Sequence, residues 1–319
     1  MSIGMTTILA AVAAFALTSL LGLWLIPLLR RMHCTLPIGD TVPSWHRKKE
    51  GTPTMGGIML MIGTLTAAVI GWCTHRLSLG DEITVSLQLQ KMESMKFFFG
   101  ILMAGGFGVI GLMDDTLRAV KKRPGLTEKQ KLLFQILIAV LYLIAVRLSG
   151  DHMTALYLPF LGRLRLGVFY YPVSVLLIVG TVRAIDRTDG LDGLASSVCA
   201  VVALFATAAA CRVLYTESSV LSCALLGGVL GFLIYNHHPA KMFMGDTGSL
   251  FLGGMVCALA FGLNIPLILV FAGIIYAWSI LKIPFRDEVG FTTGDLAFSY
   301  TLTMCFFCLG GFLSGQIIR

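Results

Sequence analysis

Apolar runs of roughly 17 to 25 residues, each long enough to cross a hydrocarbon layer about 30 Å thick as a helix, alternate along the chain with short segments that hold most of its charge. The runs fall near 5–29, 54–72, 95–113, 131–148, 168–185, 194–214, 219–236, 248–262, 264–282 and 297–317. They predict an all-α integral membrane protein with about ten transmembrane helices, its active site formed by loops on one side. The whole of 1–319 reads as a single polytopic domain. No basic residue precedes the first run and no clear small-residue cleavage site follows it, so it reads as a retained span.

Composition agrees with that pattern. Of 319 residues, 56% are hydrophobic and 13% charged, and the mean hydropathy is +0.85, values a water-soluble domain does not easily reach. The eight cysteines lie mostly inside the apolar runs. Cys305 and Cys308 have CxxC spacing but lack a second ligand pair, so buried thiols are expected rather than a zinc site or a disulfide framework.

Charge sets the orientation. Segments 30–53, 114–130, 186–193, 237–247 and 283–296, with the adjoining Lys131, Arg183 and Lys282, carry 16 of the 24 Lys and Arg. Basic excess marks the cytoplasmic side, so these segments are expected inside and both termini outside. The net charge of +7 is then a topology signal and a source of attraction to anionic membrane lipid, and nucleic acid is not needed to explain it. The same segments hold 12 of the 17 acids, which brings distant carboxylates to one membrane face.

Four of these segments carry candidate chemistry. GLMDD ends at the adjacent carboxylates Asp114 and Asp115, followed by Arg118, Lys121, Lys122 and Arg123 and then by Lys131. Paired carboxylates at a bilayer edge repel each other unless a cation lies among them; the plainer reading is a solvated helix end. DRTDGLDG, 186–193, places Asp186, Asp189 and Asp192 beside two glycines, a composition suited to a magnesium-bound diphosphate. It fails the spacing of a calcium loop, with Ser197 where a bidentate Glu is required. NHHPAKMFMGDTGS, 236–249, runs into an apolar helix, and there Asp246 or Thr247 could simply cap the helix, while an aspartate at this spot can both cap it and serve a ligand. Adjacent His237 and His238 cannot easily chelate one ion. HRKKEGTPTMGG, 46–57, is a basic juxtamembrane stretch that opposite a diphosphate would grip an anion.

GTPTMGG, GLMDD, TDGLDG and PAKMFMGDTGS, in this order and spacing, resemble the polyprenyl-phosphate hexosamine-1-phosphate transferase superfamily, and within it the phospho-N-acetylmuramoyl-pentapeptide branch. The resemblance covers about 40–282 and the ten-span layout. It implies transfer of a sugar-1-phosphate from a UDP-activated amino sugar to undecaprenyl phosphate in the bacterial cytoplasmic membrane, with Mg2+ as cofactor, UMP as leaving group and a homodimer as the assembly. By motif match, it implies Asp246 as the magnesium ligand, Asp114 and Asp115 in lipid-phosphate activation or metal and substrate binding, and Lys131 as a phosphate-neutralising group. It further implies Asp189, Asp192, Gly193 and Phe243 around uridine, Lys49 and Thr54 at its border, and Asn236 ahead of the metal loop.

Two features depart from the superfamily pattern. Asp186 stands where asparagine is usual, with Arg187 beside it, and KIPFRDEVGFTTGD, 282–295, lacks the histidine-rich HHHFE segment. The chain therefore reads as a divergent member. Transfer of another UDP-sugar, such as UDP-N-acetylglucosamine, and a non-catalytic scaffold are the alternatives. A secondary transporter would place its ionisable groups near the membrane midplane, whereas here the span centres are nearly free of charge.

Overall fold

In a computed structural model, the structure describes residues 3–32, 34, 52–79, 87–151, 154–158, 162–189 and 192–269. Eight long helices account for nearly all of them: α1 Ile3–Arg31, α2 Gly57–Leu79, α3 Leu87–Asp115, α4 Glu128–Leu148, α5 Tyr170–Thr188, α6 Leu194–Val213, α7 Thr216–Asn236 and α8 Gly245–Gly262. Each is long and apolar enough to cross a membrane, so the chain is a multi-pass, all-α membrane protein. They correspond to the first eight expected spans. The ninth from residue 270 on, the tenth, the segment 283–296, Lys49 and the Cys305–Cys308 pair lie outside the described residues.

The helices exceed the apolar runs at several ends because flanking polar residues continue the backbone hydrogen bonding beyond the hydrocarbon layer. Thus α3 begins at Leu87, ahead of the expected 95, and continues past Asp115 through a π-helical turn, Thr116–Val120. α4 begins on a capping box: the Thr127 hydroxyl accepts from the Gln130 amide, and the Gln130 side chain accepts from the Thr127 amide. A short antiparallel hairpin, β1 Ala155–Leu158 with β2 Gly162–Arg165, joins α4 to α5. The apolar pattern gave no sign of it, since two strands of four residues leave too short a signal.

α8 is the hub. It packs most extensively along α3 and also meets α2, α5 and α6, and Thr247 to Phe261 are all buried. It is also the least hydropathic of the eight helices. Protein rather than lipid surrounds it, so glycine, serine and threonine serve close packing where leucine would serve lipid contact. α1 closes the other flank against α7 and α2 and leaves Ile8, Val12, Leu20, Leu23 and Trp24 exposed.

Polar groups gather at the two ends of the bundle. At one end Lys96 pairs with Asp151 and donates to Asn264, while Glu217 accepts from Arg76 and Ser94. At the other lie the C-terminal ends of α1, α3, α5 and α7 and the N-terminal ends of α2, α4, α6 and α8.

Candidate active site

The N-terminus of α8 is the centre of that second end. Gly245 turns the chain into the helix at φ +73°, a left-handed conformation that glycine adopts without steric cost. Neighbouring helices then approach α8 backbone to backbone. A Cβ on Gly111 of α3 would lie 2.1 Å from the Asp246 carbonyl oxygen, and one on Gly57 of α2 would lie 2.1 Å from the Gly248 nitrogen. These glycines explain how residues from four parts of the chain reach one point.

Asp114 is sealed inside, with 0% of its side chain exposed. Its Oδ2 is 2.8 Å from Lys131 Nζ and 3.0 Å from Arg118 Nε, one helical turn on, while its Oδ1 accepts from the Leu126 amide at 2.5 Å. The solvated-helix-end reading of this aspartate is thereby replaced by a buried, ion-paired carboxylate. Lys131, equally buried at the start of α4, also donates to Asp246 Oδ2, so one ammonium bridges two carboxylates. Arg183 of α5 braces the same turn through the Glu128 carbonyl at 3.0 Å and the Gln135 side chain at 3.2 Å.

Asp115 faces the other way. Its Oδ1 accepts from the Asp246 amide at 3.2 Å, and its Oδ2 accepts from the Thr247 amide at 2.9 Å and the Thr247 hydroxyl at 2.6 Å. Across the site, Asp186 Oδ1 accepts from Ser249 Oγ at 2.7 Å, and Asp189 accepts from the Gly245 amide. Burial pushes the Asp189 carboxyl well above the usual carboxylate range, and the charges of Asp186, Asp246 and Asp115 push it the same way.

The remaining candidate residues form a bracket around this core. The buried Asn236 side chain donates to the Met242 carbonyl at 3.1 Å and accepts from the Gly193 amide at 3.0 Å and Ser196 Oγ at 3.2 Å, locking the loop before α8 to the start of α6. The buried Asp192 carboxylate accepts from the Ala240 amide at 3.4 Å and meets exposed His238 Nδ1 at 3.1 Å. Phe243 is half-buried between the buried Met242 and Met244, its amide donating to the Pro53 carbonyl and its carbonyl accepting from the Gly56 amide, both at 2.9 Å. Thr54 is buried in the same pairing, with its amide on the Cys34 carbonyl at 3.0 Å.

The structure therefore brings Asp114, Asp115, Lys131, Asp189 and Asp246 together, with Asp192, Gly193, Asn236, Phe243 and Thr54 around them. Thr247, Ser249, Arg118 and Arg183 complete the network, although the sequence reading assigned them no place in the site. Thr247 carried a signal in its position at a helix start. Arg118 carried one in its spacing of four residues from Asp114. Ser249 and Arg183 did not, because their partners lie on other helices.

Asp246 keeps 24% of its side chain exposed, in contrast to the sealed Asp114. Oxygen donors and an excess of carboxylates over buried cations suit a hard divalent ion. Among the described residues no three His, Cys, Asp or Glu side chains form a ready-made cage. Magnesium commonly takes one or two protein carboxylates and leaves its other positions to water and substrate phosphate, so Asp246 fits that habit.

Residues 97–264 match the profile of glycosyl transferase family 4. The chain is 38% identical to a phospho-N-acetylmuramoyl-pentapeptide-transferase of Heliobacterium modesticaldum over 313 residues, 97% of this chain and 91% of that one. It is 40% identical over 274 residues to the protein of the same name from a Thermoanaerobacter species, covering 84% and 79% of the two chains. Against that of Acetivibrio thermocellus it is 36% identical over 312 residues, covering 96% and 88%.

Proposed function

Because this chain belongs to the phospho-N-acetylmuramoyl-pentapeptide-transferase family and is a glycosyl-phosphate transferase, we propose that it transfers phospho-N-acetylmuramoyl-pentapeptide from its UDP-activated form to undecaprenyl phosphate, releasing UMP. The observation that carries the reading is the placement of Asp246, a partly exposed carboxylate at a helix start, beside the buried ammonium of Lys131.

In this reading a phosphate oxygen of the lipid attacks the β-phosphorus of the donor, and the bond from that phosphorus to the UMP oxygen breaks. Lys131, held by Asp114 at 2.8 Å, presents a fixed positive charge to the phosphates. Asp246 would hold the magnesium ion, with the Asp189 carboxyl close enough to feel the charge of Asp246. The ion, when bound, neutralises the diphosphate and stabilises the departing UMP. Asp192, Gly193 and Phe243 line the nucleotide side, with Thr54 at its border, and Asn236 keeps the two loops in register. The site end of the bundle faces the cytoplasm of a bacterial inner membrane, where a soluble nucleotide meets a lipid phosphate whose tail stays in hydrocarbon.

A second donor is favoured by one observation, the Asp186 and Arg187 pair in the last turn of α5, where an added carboxylate accepts from Ser249. UDP-N-acetylglucosamine is therefore offered in parallel. Purified protein with undecaprenyl phosphate and magnesium is expected to release UMP from the muramoyl donor, and chelation is expected to stop it. Asp246→Asn should lower turnover by on the order of a hundredfold or more, the scale of losing one electrostatic contact in a preorganised site. Release from UDP-N-acetylglucosamine alone would reassign the donor, and normal turnover by Asp246→Asn would remove the metal assignment.

A further inference from the structure

The two adjacent aspartates of GLMDD have different principal partners. Asp114 is tied to Lys131 of α4, to Arg118 of the π-helical turn and to the Leu126 amide, and its carboxyl also meets that of Asp246. Asp115 bonds only to α8 in the contacts described above, and both of its oxygens are taken. It is 6% exposed.

α8 needs this acceptor. The first amides of a helix have no partner within it, and the residue ahead of α8, Met244, offers no side-chain cap. Gly245 leaves room for the carboxylate: a Cβ there would lie 2.6 Å from Asp115 Oδ2. A negative charge at a helix N-terminus is favoured besides.

We propose that Asp115 is a positioning residue: it caps α8 from outside, through the Asp246 and Thr247 amides and the Thr247 hydroxyl, and so fixes the Asp246 carboxylate for its cation. Its place is to hold Asp246 and not to touch the reacting atoms, because both of its oxygens are already taken by α8. The proposal rests on the reading that Asp246 holds the metal.

The test uses the full-length protein in detergent, with Mn2+ binding followed by electron paramagnetic resonance and UMP release measured against Mg2+ concentration. Thr247→Val is expected to weaken Mn2+ binding about tenfold, the scale of one hydrogen bond to a charged group. Asp115→Asn should weaken it at least as much, and the double variant should be no worse than Asp115→Asn, because both changes break one network. Turnover of Asp115→Asn should recover as Mg2+ is raised, with the KM for lipid substrate unchanged. Thr247→Ser, which keeps the hydroxyl, should match the parent. Should Thr247→Val fail to fold, the same comparison is made between Thr247→Ser and Thr247→Ala.

Wild-type Mn2+ affinity in Asp115→Asn, with turnover that excess Mg2+ does not restore, would overturn the proposal in favour of a direct chemical role. So would additive losses in the double variant. If Asp246→Asn binds Mn2+ as the parent does, the metal assignment itself is wrong; if it loses Mn2+ while the Asp115 and Thr247 variants keep it, only the positioning role falls.

Discussion

Lys131 is the one buried ammonium among the described carboxylates of the site, and its removal tests how far the cluster depends on it. Lys131→Met would leave Asp114, with 0% of its side chain exposed, with the half-exposed Arg118 as its remaining cation beside the Leu126 amide. Breaking a buried pair on one side costs about 3 kcal/mol or more, so a lower unfolding midpoint in detergent is expected together with lost turnover. Asp189 gives a pH dependence of known sign. Its carboxyl is raised in the fold, so between the ordinary carboxylate value and its own the folded protein holds a proton that the unfolded chain has released. The contribution of this group to stability therefore falls as pH rises through that window. A cation placed among Asp189, Asp186, Asp246 and Asp115 favours the ionised form, so Mg2+ or Mn2+ affinity should rise with pH there, with proton release on binding. Calorimetry in buffers of different ionisation enthalpy measures that release, and Asp189→Asn should flatten the dependence.

At the scale of elements, the site depends on how closely α3 and α2 approach the first turn of α8. A single methyl group is enough to test this. Gly111→Ala would set its Cβ 2.1 Å from the Asp246 carbonyl oxygen, a backbone atom that can yield only if the two helices separate. Overpacking of this kind costs typically about 1–3 kcal/mol, and here it would also move Asp246 relative to Lys131. Expected are reduced thermal stability and a fall in UMP release larger than the loss of folded protein accounts for. Gly180 of α5 has nothing within 4 Å of such a methyl, so Gly180→Ala is the matched control and should behave as the parent.

At the scale of the whole molecule, the two polar ends have different characters. The site end collects carboxylates around one lysine, whereas the opposite end ties Lys96 to Asp151 and Glu217 to Arg76 and Ser94. The proposed orientation is tested by cysteine labelling in a background with the native cysteines replaced. Lys122→Cys, exposed in the loop after α3, should react with an impermeant thiol reagent only in inverted membrane vesicles, and Arg165→Cys, exposed on the hairpin, only in spheroplasts. The reverse pattern would turn the molecule over and remove the cytoplasmic placement of the site.

Much of this was legible in the linear sequence, because crossing a membrane constrains composition residue by residue. Apolar length marked the eight described spans, and the distribution of charge gathered Asp114, Asp186, Asp189 and Asp246 on one side before any contact was known. Order and spacing of four motifs, taken together, were enough to recognise the superfamily. What each acid does was left to the tertiary structure. Neighbours in sequence on a helix point in directions about 100° apart, so Asp114 and Asp115 meet different partners, one an ammonium from α4 and the other the bare amides of α8. Burial separates the sealed Asp114 from the accessible Asp246, and burial is a property of the packed bundle, set where glycines let three helices close on one turn.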